Sequence, residues 1–497
     1  MQPATPTHEK KAGLLYWAQR ALEECDKASQ DFAPDPVHDL RVAIRRCRSL
    51  ADGFLSVDPD PEWKQMKKSG KPLFNCLGEL RDTQVMMEWV ARLSEDHDSV
   101  RHTLLHSLAA KESAQKAAAL EALRAFDRKR WLALNTKLAK RTGKIPLEGL
   151  VFQHLALERL LEAHELHRQA LRNRTQVGYH QLRIGIKRFR YTVENFLPAR
   201  HAKWAPELRD LQDALGEVHD LDVLRASIRA HPEIEAEDRE RWFRRIAEER
   251  QKRLDLYRSK MMGKNSLWQV WRAELPIGPA LEKAAMEKLR TWASLLDPDV
   301  RRSAYVTRIA LQLYDALSRH GLACHKPEYR RILEAAGIVH DVGRSKGEAG
   351  HLKRSYRMIT RLKPPLGWTE EELHCVAAIA RYHRGGLPQT SASHFVGLST
   401  RRRSELMPIM GILRLATAFD SAQNGRVARI SVEPRDRTLD VYGQGMEDIS
   451  AAAERLARAR YLLEATSGLA VRIRPLTRKP AASSRVARHT ARGAAGS

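Results

Sequence analysis

The sequence predicts a mainly α-helical protein that ends in a small β-β-α-β module. Three observations support this prediction. Apolar residues recur at helical spacing from residue 9 to about 260, and runs of β-branched residues are absent from that region. Strict alternation of apolar and polar residues begins only after about residue 424. A chain of 497 residues is long enough for several domains, each with its own core.

The composition favours a protein that binds polyanions in a reducing compartment. The formal net charge of +25 suits nucleic acid, anionic lipid or free polyphosphate and does not choose among them. The five cysteines (Cys25, Cys47, Cys76, Cys324 and Cys375) form no C-x-x-C pair, which argues against a disulfide framework or a zinc ribbon. Without a signal peptide or a long apolar run, we expect a cytoplasmic protein with no membrane span.

The first helical region contains an internal repeat. The segment "VHDLRVAIRRCRSLADGF" (37–54) aligns with "YHQLRIGIKRFRYTVENF" (179–196). A second pair follows in the same order, "LFNCLGELRDTQV" (73–85) with "LQDALGEVHDLDV" (211–223). Because both pairs keep their order and nearly the same separation, the pattern predicts a duplicated helical unit, with copies at about 8–140 and 150–260.

Each copy carries a row of basic residues on one helix. The rows are spaced three, four and three positions apart and consist of His38, Arg41, Arg45 and Arg48 in the first copy, and His180, Arg183, Lys187 and Arg190 in the second. Such spacing places the side chains within one arc of a helix, beside an apolar stripe that faces the core. No acid interrupts either row, and arginine forks match phosphate oxygens. The rows predict a face for a phosphate-type polyanion; the alternative is a solvated charged face.

These paired helices, each followed by an "LG-x-x-[RH]-D-x-x-V" motif, resemble the CHAD domain, the conserved histidine α-helical domain, over residues 8–260. The resemblance implies two four-helix bundles related by a pseudo-twofold axis, with basic faces that line a channel for inorganic polyphosphate. It implies that the eight residues of the two rows contact the ligand. It gives Asp82 and Asp220 the role of orienting arginines through salt bridges, with helix-end capping as the alternative. It also implies an association with polyphosphate granules.

The remainder of the chain divides by composition. Gly, Pro and two tryptophans interrupt the helical pattern at 261–280, which is predicted to be a linker. A second helical region is predicted at 281–423 and a β-β-α-β module at 424–475. The tail at 476–497 is rich in Ala, Arg and Ser, contains no acid, and is predicted to be disordered.

The second helical region contains a different His-Asp motif. In "AAGIVHDVGRSKGEAGH" (335–351) an apolar helix leads into His340 and Asp341. Adjacent His and Asp ligands of one divalent cation need support from distant residues. The order of this motif, "IARYHRGGLP" and "GILRLATAFD" resembles the HD phosphohydrolase superfamily. More specifically, residues 290–475 resemble the C-terminal HD region of the exopolyphosphatase/guanosine pentaphosphate phosphohydrolase family.

The resemblance places His340, Asp341 and Asp420 at metal-ligand positions, with His351, His383 and Arg384 as candidates for the same pocket. Two departures from the family pattern affect this site. Arg302 and Ser303 stand where a first histidine ligand is implied, and Arg354 replaces a later histidine. Loss of one ligand from a four-ligand site weakens metal binding. The departures therefore predict a degenerate HD domain, with an active metallohydrolase as the alternative.

Two functions follow from the sequence. The leading hypothesis is a cytoplasmic protein that binds inorganic polyphosphate, is associated with granules or regulates polyphosphate turnover, and carries a degenerate HD domain. The alternative is a metal-dependent HD phosphohydrolase that acts on polyphosphate or a phosphorylated nucleotide, with a divalent metal as cofactor. Nucleic-acid binding ranks last, because few aromatic residues accompany the basic rows and no groove-reading motif is present.

Overall fold

A computed structural model describes residues 13–323, 326–389, 392–420, 425–446 and 452–476. It confirms the predicted fold class, a mainly α-helical protein with a small sheet near the C-terminus. Cys324 and the predicted disordered tail beyond residue 476 lie outside the described residues. In the described part of the chain, no helix is both long enough and apolar enough to cross a membrane.

The chain divides into two compact units. One comprises residues up to 295 together with 365–367, and the other comprises 296–364 and the residues from 368 onward. The helices of the first unit are α1 (Leu14–Asp31), α2 (Pro34–Phe54), α3 (Glu62–Ser69), α4 (Lys71–Leu93), α5 (Ser99–Arg124), α6 (Arg128–Thr142), α7 (Leu150–Asn173), α8 (Gln176–Phe196), α9 (Pro198–Arg229), α10 (Ala236–Met261), α11 (Leu267–Ala273) and α12 (Gly278–Ser294).

The elements of the second unit are α13 (Val300–Arg319), α14 (Pro327–Val339), α15 (His351–Ile359), α16 (Glu370–Arg381), α17 (Thr400–Phe419), β1 (Arg429–Arg435), β2 (Thr438–Gln444), α18 (Ala453–Ser467) and β3 (Ala470–Pro475). Two short 3₁₀ segments, Val342–Lys346 and Ser393–Phe395, connect these helices.

The two copies of the repeat form corresponding helix pairs in the first unit. Helices α1 and α2 pack together in the first copy, as do α4 and α5, and the counterparts in the second copy are α7 with α8 and α9 with α10. The copies meet where α2 contacts α8 and α4 contacts α9. Phe54 and Phe196, which are equivalent in the two copies, pack edge to face with ring centroids 5.4 Å apart. Contact between equivalent residues is the arrangement that a twofold relation between copies produces.

The segment 261–280, predicted to be a linker, contains helix α11 and part of the core. Trp268 and Trp271 from this helix are buried in the hydrophobic cluster of the first unit. The Gly and Pro residues interrupt the helical pattern as expected, but two indole rings bury enough apolar surface to fix the segment against the bundle. Helix α12 then packs against α7 in the same unit.

The second unit combines helices α13–α17 with the β-β-α-β module that the sequence predicts. Strand β1 pairs antiparallel with β2, with Val432 opposite Val441, and β3 pairs parallel with β2, with Ile473 opposite Val441. Helix α18 makes the connection between the two parallel strands, which cannot be joined by a tight turn. The alternation of the strands buries Leu439, Val441 and Val471.

Helix α14 ends where the His-Asp motif begins, and a glycine allows the next helix to approach it. A Cβ atom on Gly343 would lie 2.3 Å from the carbonyl oxygen of His351 and 2.6 Å from the backbone nitrogen of Ser355. Only glycine therefore permits α15 to lie this close to the end of α14. The close approach brings His351 next to His340 and Asp341.

Candidate functional site

The basic rows of the repeat lie on α2 and α8, whose apolar stripes fix their orientation. Val37, Leu40, Ile44 and Cys47 are buried along α2, as the helical spacing predicts. The corresponding stripe of α8 is likewise buried in the core. Because the rows occupy the neighbouring arc, their side chains point toward the place where the two copies meet.

Five of the eight predicted ligand residues line one cleft of about 290 Å³ in the first unit. These are His38, Arg41 and Arg45 from α2, and Arg183 and Lys187 from α8. We call this cavity the basic cleft. Since residues from both copies of the repeat form its walls, neither copy alone could provide it.

The structure does not bring the other three predicted residues into the cleft lining. Arg48 donates a hydrogen bond to the backbone carbonyl of Lys67 at 2.6 Å. The Nδ1 atom of His180 lies 3.3 Å from Nδ1 of His219. Arg190 is half-buried on α8 and also lies outside the lining. The two inner residues of each row therefore line the cleft, and His38 is the one end residue of the rows that joins them.

One further cation of the cleft, Arg81 of α4, was not among the predicted residues. Its side chain also donates to Glu88 at 2.9 Å. The repeated motif contained the signal for it, because Arg81 directly precedes the matched Asp82 in "LGELRD". The second copy has His219 at the equivalent position, so the two walls of the cleft differ there.

Carboxylates also line the cleft, but they do not neutralise it by direct pairing. Asp82 and Asp220 lie within α4 and α9, away from the helix ends, so neither is a cap. The resemblance implied that both aspartates orient arginines through salt bridges, but within the described ranges neither makes a direct ion pair with an arginine. Burial raises the pKa of Asp220 to about 6, against the opposing effect of Arg183. This carboxyl is therefore less acidic than an exposed aspartate.

Three guanidinium groups of the cleft keep buried N–H groups without a hydrogen-bond partner among the described residues. The atoms are Nη1 of Arg41, Nε of Arg45 and Nε of Arg183. A buried donor left without an acceptor costs about 1–3 kcal/mol, more when the group is charged. These donors therefore indicate a site for an anion with several oxygen atoms.

The glycine of the "LG" motif makes room for an arginine of the cleft in the first copy of the repeat. A Cβ atom on Gly78 would lie 2.8 Å from Nη1 of Arg41, and one on Gly216 would lie 4.0 Å from Nε of Arg183. The first distance is too short for any other residue unless the guanidinium moves. In the first copy, the glycine thus lets Arg41 of α2 lie against the backbone of α4, whereas Gly216 in the second copy leaves room for a Cβ atom.

Aromatic rings pack against the guanidinium groups of three arginines on α2. The guanidinium groups of Arg41 and Arg48 lie 5.4 Å and 5.1 Å from the centroid of the Phe74 ring, and that of Arg45 lies 5.4 Å from the Tyr191 ring. Cations in this position are attracted to the face of the ring. The arginines are therefore held in place within the protein.

Lys187 gives the second copy a cation that can lose its charge. Burial, together with the nearby Arg183 and Arg45, lowers the pKa of Lys187 to about 7. Its amine is charged below pH 7 and becomes neutral as the pH rises above that value. Arg45, the equivalent residue in the first copy, retains its charge over the same range because guanidinium does not titrate there.

A second candidate site surrounds Asp341 in the second unit. His340, Asp341 and His383 are buried, and each has one ligand atom within 4.8 Å of the others. His351 lies beside them, with its Nε2 atom 3.6 Å from Asp341 Oδ1. We call these four residues the His-Asp cluster. Of the predicted metal ligands, His340 and Asp341 belong to it and Asp420 does not.

The histidines of this cluster share one hydrogen-bonding arrangement. Nδ1–H of His340 donates to the carbonyl of Gly337 at 2.7 Å, and Nδ1–H of His383 donates to that of Ala380 at 2.7 Å. His351 likewise donates to a backbone carbonyl, at 2.8 Å. Since a carbonyl only accepts, Nδ1 must carry the proton, and Nε2 of a neutral ring is left with its lone pair. Burial lowers the pKa of His383 well below its usual value, which keeps that ring neutral.

The Nε2 atoms converge on the carboxylate of Asp341 at distances too long for hydrogen bonds. His340 Nε2 is 3.6 Å from Oδ2, and His383 Nε2 is 3.5 Å from Oδ1. Ligand atoms of a tetrahedral ion with bonds of about 2.0–2.2 Å lie about 3.4 Å apart. In the described residues, the three Nε2 atoms and Asp341 Oδ1 are buried without hydrogen-bond partners. This donor set fits a metal ion, with backbone carbonyls orienting the histidines.

Arg302 occupies the position where the family resemblance implies a histidine ligand. Its Nε donates to Asp420 Oδ2 at 3.0 Å, and its Nη1 lies 3.7 Å from Asp341 Oδ2. The residue is only 6% exposed. A guanidinium therefore links the two carboxylates, and Asp420 is engaged with Arg302 instead of joining the His-Asp cluster.

Asp341 remains ionised in this environment. Burial raises the pKa of its carboxyl, but the charged groups around it, including Arg384 and Arg344, hold the pKa well below its usual range. One of these arginines, Arg344, donates to Asp341 Oδ2 at 3.3 Å. Arg384, which was predicted for this pocket, lies half-buried beside His383.

Comparisons with known proteins match the two halves of the chain separately. The family model of the CHAD domain matches residues 16–264, and that of the Ppx/GppA phosphatase, domain III, matches residues 285–441. The basic cleft lies within the first match and the His-Asp cluster within the second. A search of curated proteins gave no significant match.

Solved structures similar to this chain include PptA from Streptomyces chartreusis and the CHAD domain from the plant Ricinus communis. The first is 16% identical with a TM-score of 0.38, and the alignment covers 53% of this chain and 97% of that chain. The second is 19% identical with a TM-score of 0.36, and the alignment covers 53% of this chain and 90% of that chain.

Proposed function

The chain belongs to the CHAD domain family, and from this premise we propose that its basic cleft binds inorganic polyphosphate. The observation that carries the proposal is the set of buried N–H groups on Arg41, Arg45 and Arg183 that lack partners among the described residues. Phosphate oxygens would satisfy these donors with charge-assisted hydrogen bonds, which are stronger than neutral ones. We place the binding in polyphosphate storage, on granules, or in the regulation of polyphosphate turnover.

The charge of the whole chain supports the same ligand class. A formal net charge of +25 attracts a polyanion over a distance longer than any hydrogen bond. Long-range attraction alone does not distinguish one polyanion from another. The cleft adds a geometric requirement, because a bare chain of phosphates is narrow enough to enter a cavity of about 290 Å³, whereas a nucleic-acid duplex is not.

Polyphosphate is therefore expected to bind more tightly than duplex DNA of equal total charge. Counterion release favours both ligands, so the difference arises from the buried donors of the cleft. Competition between labelled polyphosphate of defined length and unlabelled DNA, at physiological salt, would measure it. We expect at least a tenfold preference for polyphosphate, equivalent to about 1.4 kcal/mol. Equal competition by the two polyanions would contradict the proposal.

A second candidate function is metal-dependent phosphohydrolysis in the second unit. The convergence of three Nε2 atoms on Asp341 favours it, because such a donor set suits a divalent cation. A bound cation would lower the pKa of a water molecule and make it a nucleophile at neutral pH. The chain would provide His340, Asp341 and His383 as ligands, while Arg302 and Arg344 would keep the Asp341 carboxylate ionised and oriented.

Metal analysis of the purified full chain tests this second function. We expect a bound divalent ion in the wild type and none in Asp341→Asn, which keeps the shape of the side chain and removes its charge. Phosphate release from tripolyphosphate with added Mn²⁺ would then exceed the background only in the wild type. Asp436→Asn, at an exposed position in the same unit, serves as the control. A wild type without bound metal, or equal release by all three proteins, would exclude this function.

A further inference from the structure

Lys187 differs chemically from the other cations of the basic cleft. In the described parts of the chain, it is the only lysine of the lining, and the equivalent residue in the first copy of the repeat is Arg45. An amine that has lost its proton is a nucleophile, whereas a guanidinium keeps its proton and is not. The exchange of arginine for lysine therefore gives the cleft a group that can form a covalent bond.

The amine of Lys187 has no direct partner among the described residues. It forms neither a hydrogen bond nor an ion pair with any of them. Other lysines of the first unit pair with carboxylates, as Lys137 does with Glu62 and Lys260 with Asp210. Lys187 is half-buried, and its Nζ atom is not among the fully buried, unpartnered nitrogen atoms of the cleft. A small molecule that enters the cleft can therefore reach this atom.

The groups around Lys187 favour the neutral form of its amine. They come from helices α2, α4, α8 and α9, and they are Arg41, Arg45, Asp82, Arg183, His219 and Asp220. Burial, together with the three arginines, lowers the pKa of Lys187 to about 7, against the opposing effect of Asp82. An ordinary lysine has a pKa of about 10.4. At neutral pH, a far larger fraction of the Lys187 amine is therefore unprotonated.

The arginines beside Lys187 determine which electrophile suits this amine. Arg183 lies four positions before Lys187 on α8, so the two side chains are neighbours on one face of the helix. The buried Nε–H of Arg183 has no partner among the described residues and would bind a phosphate oxygen. An acyl phosphate carries such a phosphate group and, joined to it through one oxygen, a carbonyl carbon that amines attack. A phosphate held by Arg183 would place this carbon next to the amine of Lys187.

We propose that Lys187 is a modification site to which small acyl phosphates transfer their acyl group. The proposal rests on the phosphate binding proposed for the basic cleft. The neutral amine attacks the carbonyl carbon, so that an N–C bond forms and the C–O bond to the phosphate breaks. The phosphate takes the proton of the amine and leaves as hydrogen phosphate. The amide that remains is uncharged, so the modification removes one cation from the cleft and weakens polyphosphate binding there.

Peptide mapping by mass spectrometry tests the proposal on the full chain, treated with acetyl phosphate at neutral pH. We expect the initial rate of acetylation at Lys187 to exceed that at Lys64 by about tenfold or more, because an ordinary lysine is almost fully protonated. Lys64 is the matched reference, an exposed lysine on α3 that does not line the cleft. N-hydroxysuccinimidyl acetate, a neutral reagent without a phosphate group, should give a smaller ratio of the two rates. Equal rates at the two lysines with acetyl phosphate, or the same ratio with both reagents, would overturn the proposal.

The effect of the modification on polyphosphate binding is measured with Lys187→Arg as the second protein. Under conditions that leave Lys64 unmodified, acetyl phosphate treatment should lower the affinity of the wild type for polyphosphate by about threefold or more. The same treatment should not change the affinity of Lys187→Arg, because a guanidinium is not acylated. Each protein is compared with its own untreated form, so a different starting affinity of the variant does not affect the result. An equal loss in both proteins would contradict a role of Lys187.

Protection by polyphosphate separates this proposal from the function on which it rests. Polyphosphate added before acetyl phosphate should slow acetylation at Lys187 and leave the rate at Lys64 unchanged, because it occupies the cleft. Selective acetylation that polyphosphate does not slow would support the modification and contradict polyphosphate binding in the cleft. Polyphosphate binding without selective acetylation of Lys187 would overturn the modification alone.

Discussion

Replacing both Arg41 and Arg183 by alanine is expected to weaken the binding of long-chain polyphosphate by about 100-fold or more. Each arginine offers the basic cleft a buried N–H that lacks a partner among the described residues. A hydrogen bond to a charged group is worth about 1.5–3 kcal/mol, and about 1.4 kcal/mol corresponds to a tenfold change in affinity. Isothermal titration calorimetry of the full chain with polyphosphate of defined length, at fixed salt, measures the loss.

The matched control is Arg172→Ala with Arg188→Ala. It removes the same two charges from exposed positions on α7 and α8, outside the cleft. Salt screens exposed charges, so this control should change the affinity only a few-fold. Circular dichroism would establish that both double variants keep their helices. An equal loss in the two variants would mean that general surface charge, and not the cleft, binds polyphosphate.

The second large effect is expected from Arg302→Met. This change leaves the buried carboxylates of Asp341 and Asp420 without the guanidinium that links them. Removing one partner of a buried ion pair costs about 3–5 kcal/mol. We therefore expect the free energy of unfolding of the second unit to fall by about that amount. Thermal unfolding followed by calorimetry, which separates transitions of different units, would detect the loss.

Two further variants make this test specific. Arg301→Met changes the neighbouring, exposed arginine on α13 and should leave the unfolding transition unchanged. Arg302→Lys keeps a positive charge but replaces the planar fork by a single ammonium, which cannot link two carboxylates in the same way. Its stability should lie between those of the wild type and Arg302→Met. If Arg302→Met unfolded like the wild type, the ion-pair network would contribute nothing to stability.

The repeated basic rows show how far sequence reasoning reaches in a helical protein. Their spacing is sufficient to place Arg41 and Arg45 on one face of α2, and Arg183 and Lys187 on one face of α8, because helix geometry is regular. It does not reveal that Arg48 turns to the carbonyl of Lys67, since that partner depends on where α3 packs. Arg81 was missed for a related reason, because a single arginine on α4 has no periodic signal of its own.

The arrangement of the His-Asp cluster depends more strongly on tertiary structure than that of the basic cleft, so less of it could be predicted from the sequence. The sequence names His340 and Asp341 as metal ligands and His351 and His383 as candidates for the same pocket, and the structure places these four side chains together. Family resemblance placed Asp420 among the metal ligands, but the structure pairs it with Arg302, which lies 118 positions earlier in the chain. A pairing between distant residues leaves no local pattern, so only the fold reveals it.

The packing of Arg41 and Arg45 on aromatic rings has a consequence for the entropy of ligand binding in the basic cleft. Immobilising a flexible side chain costs about 0.5–1.5 kcal/mol when a complex forms. Here Phe74 and Tyr191 already restrict these side chains in the free protein, so most of that loss has occurred before the ligand arrives. Short phosphate chains, which make few contacts, benefit most from such preorganisation. If the cleft binds polyphosphate as proposed, Phe74 is expected to contribute to the affinity, although it offers no group that could bind phosphate.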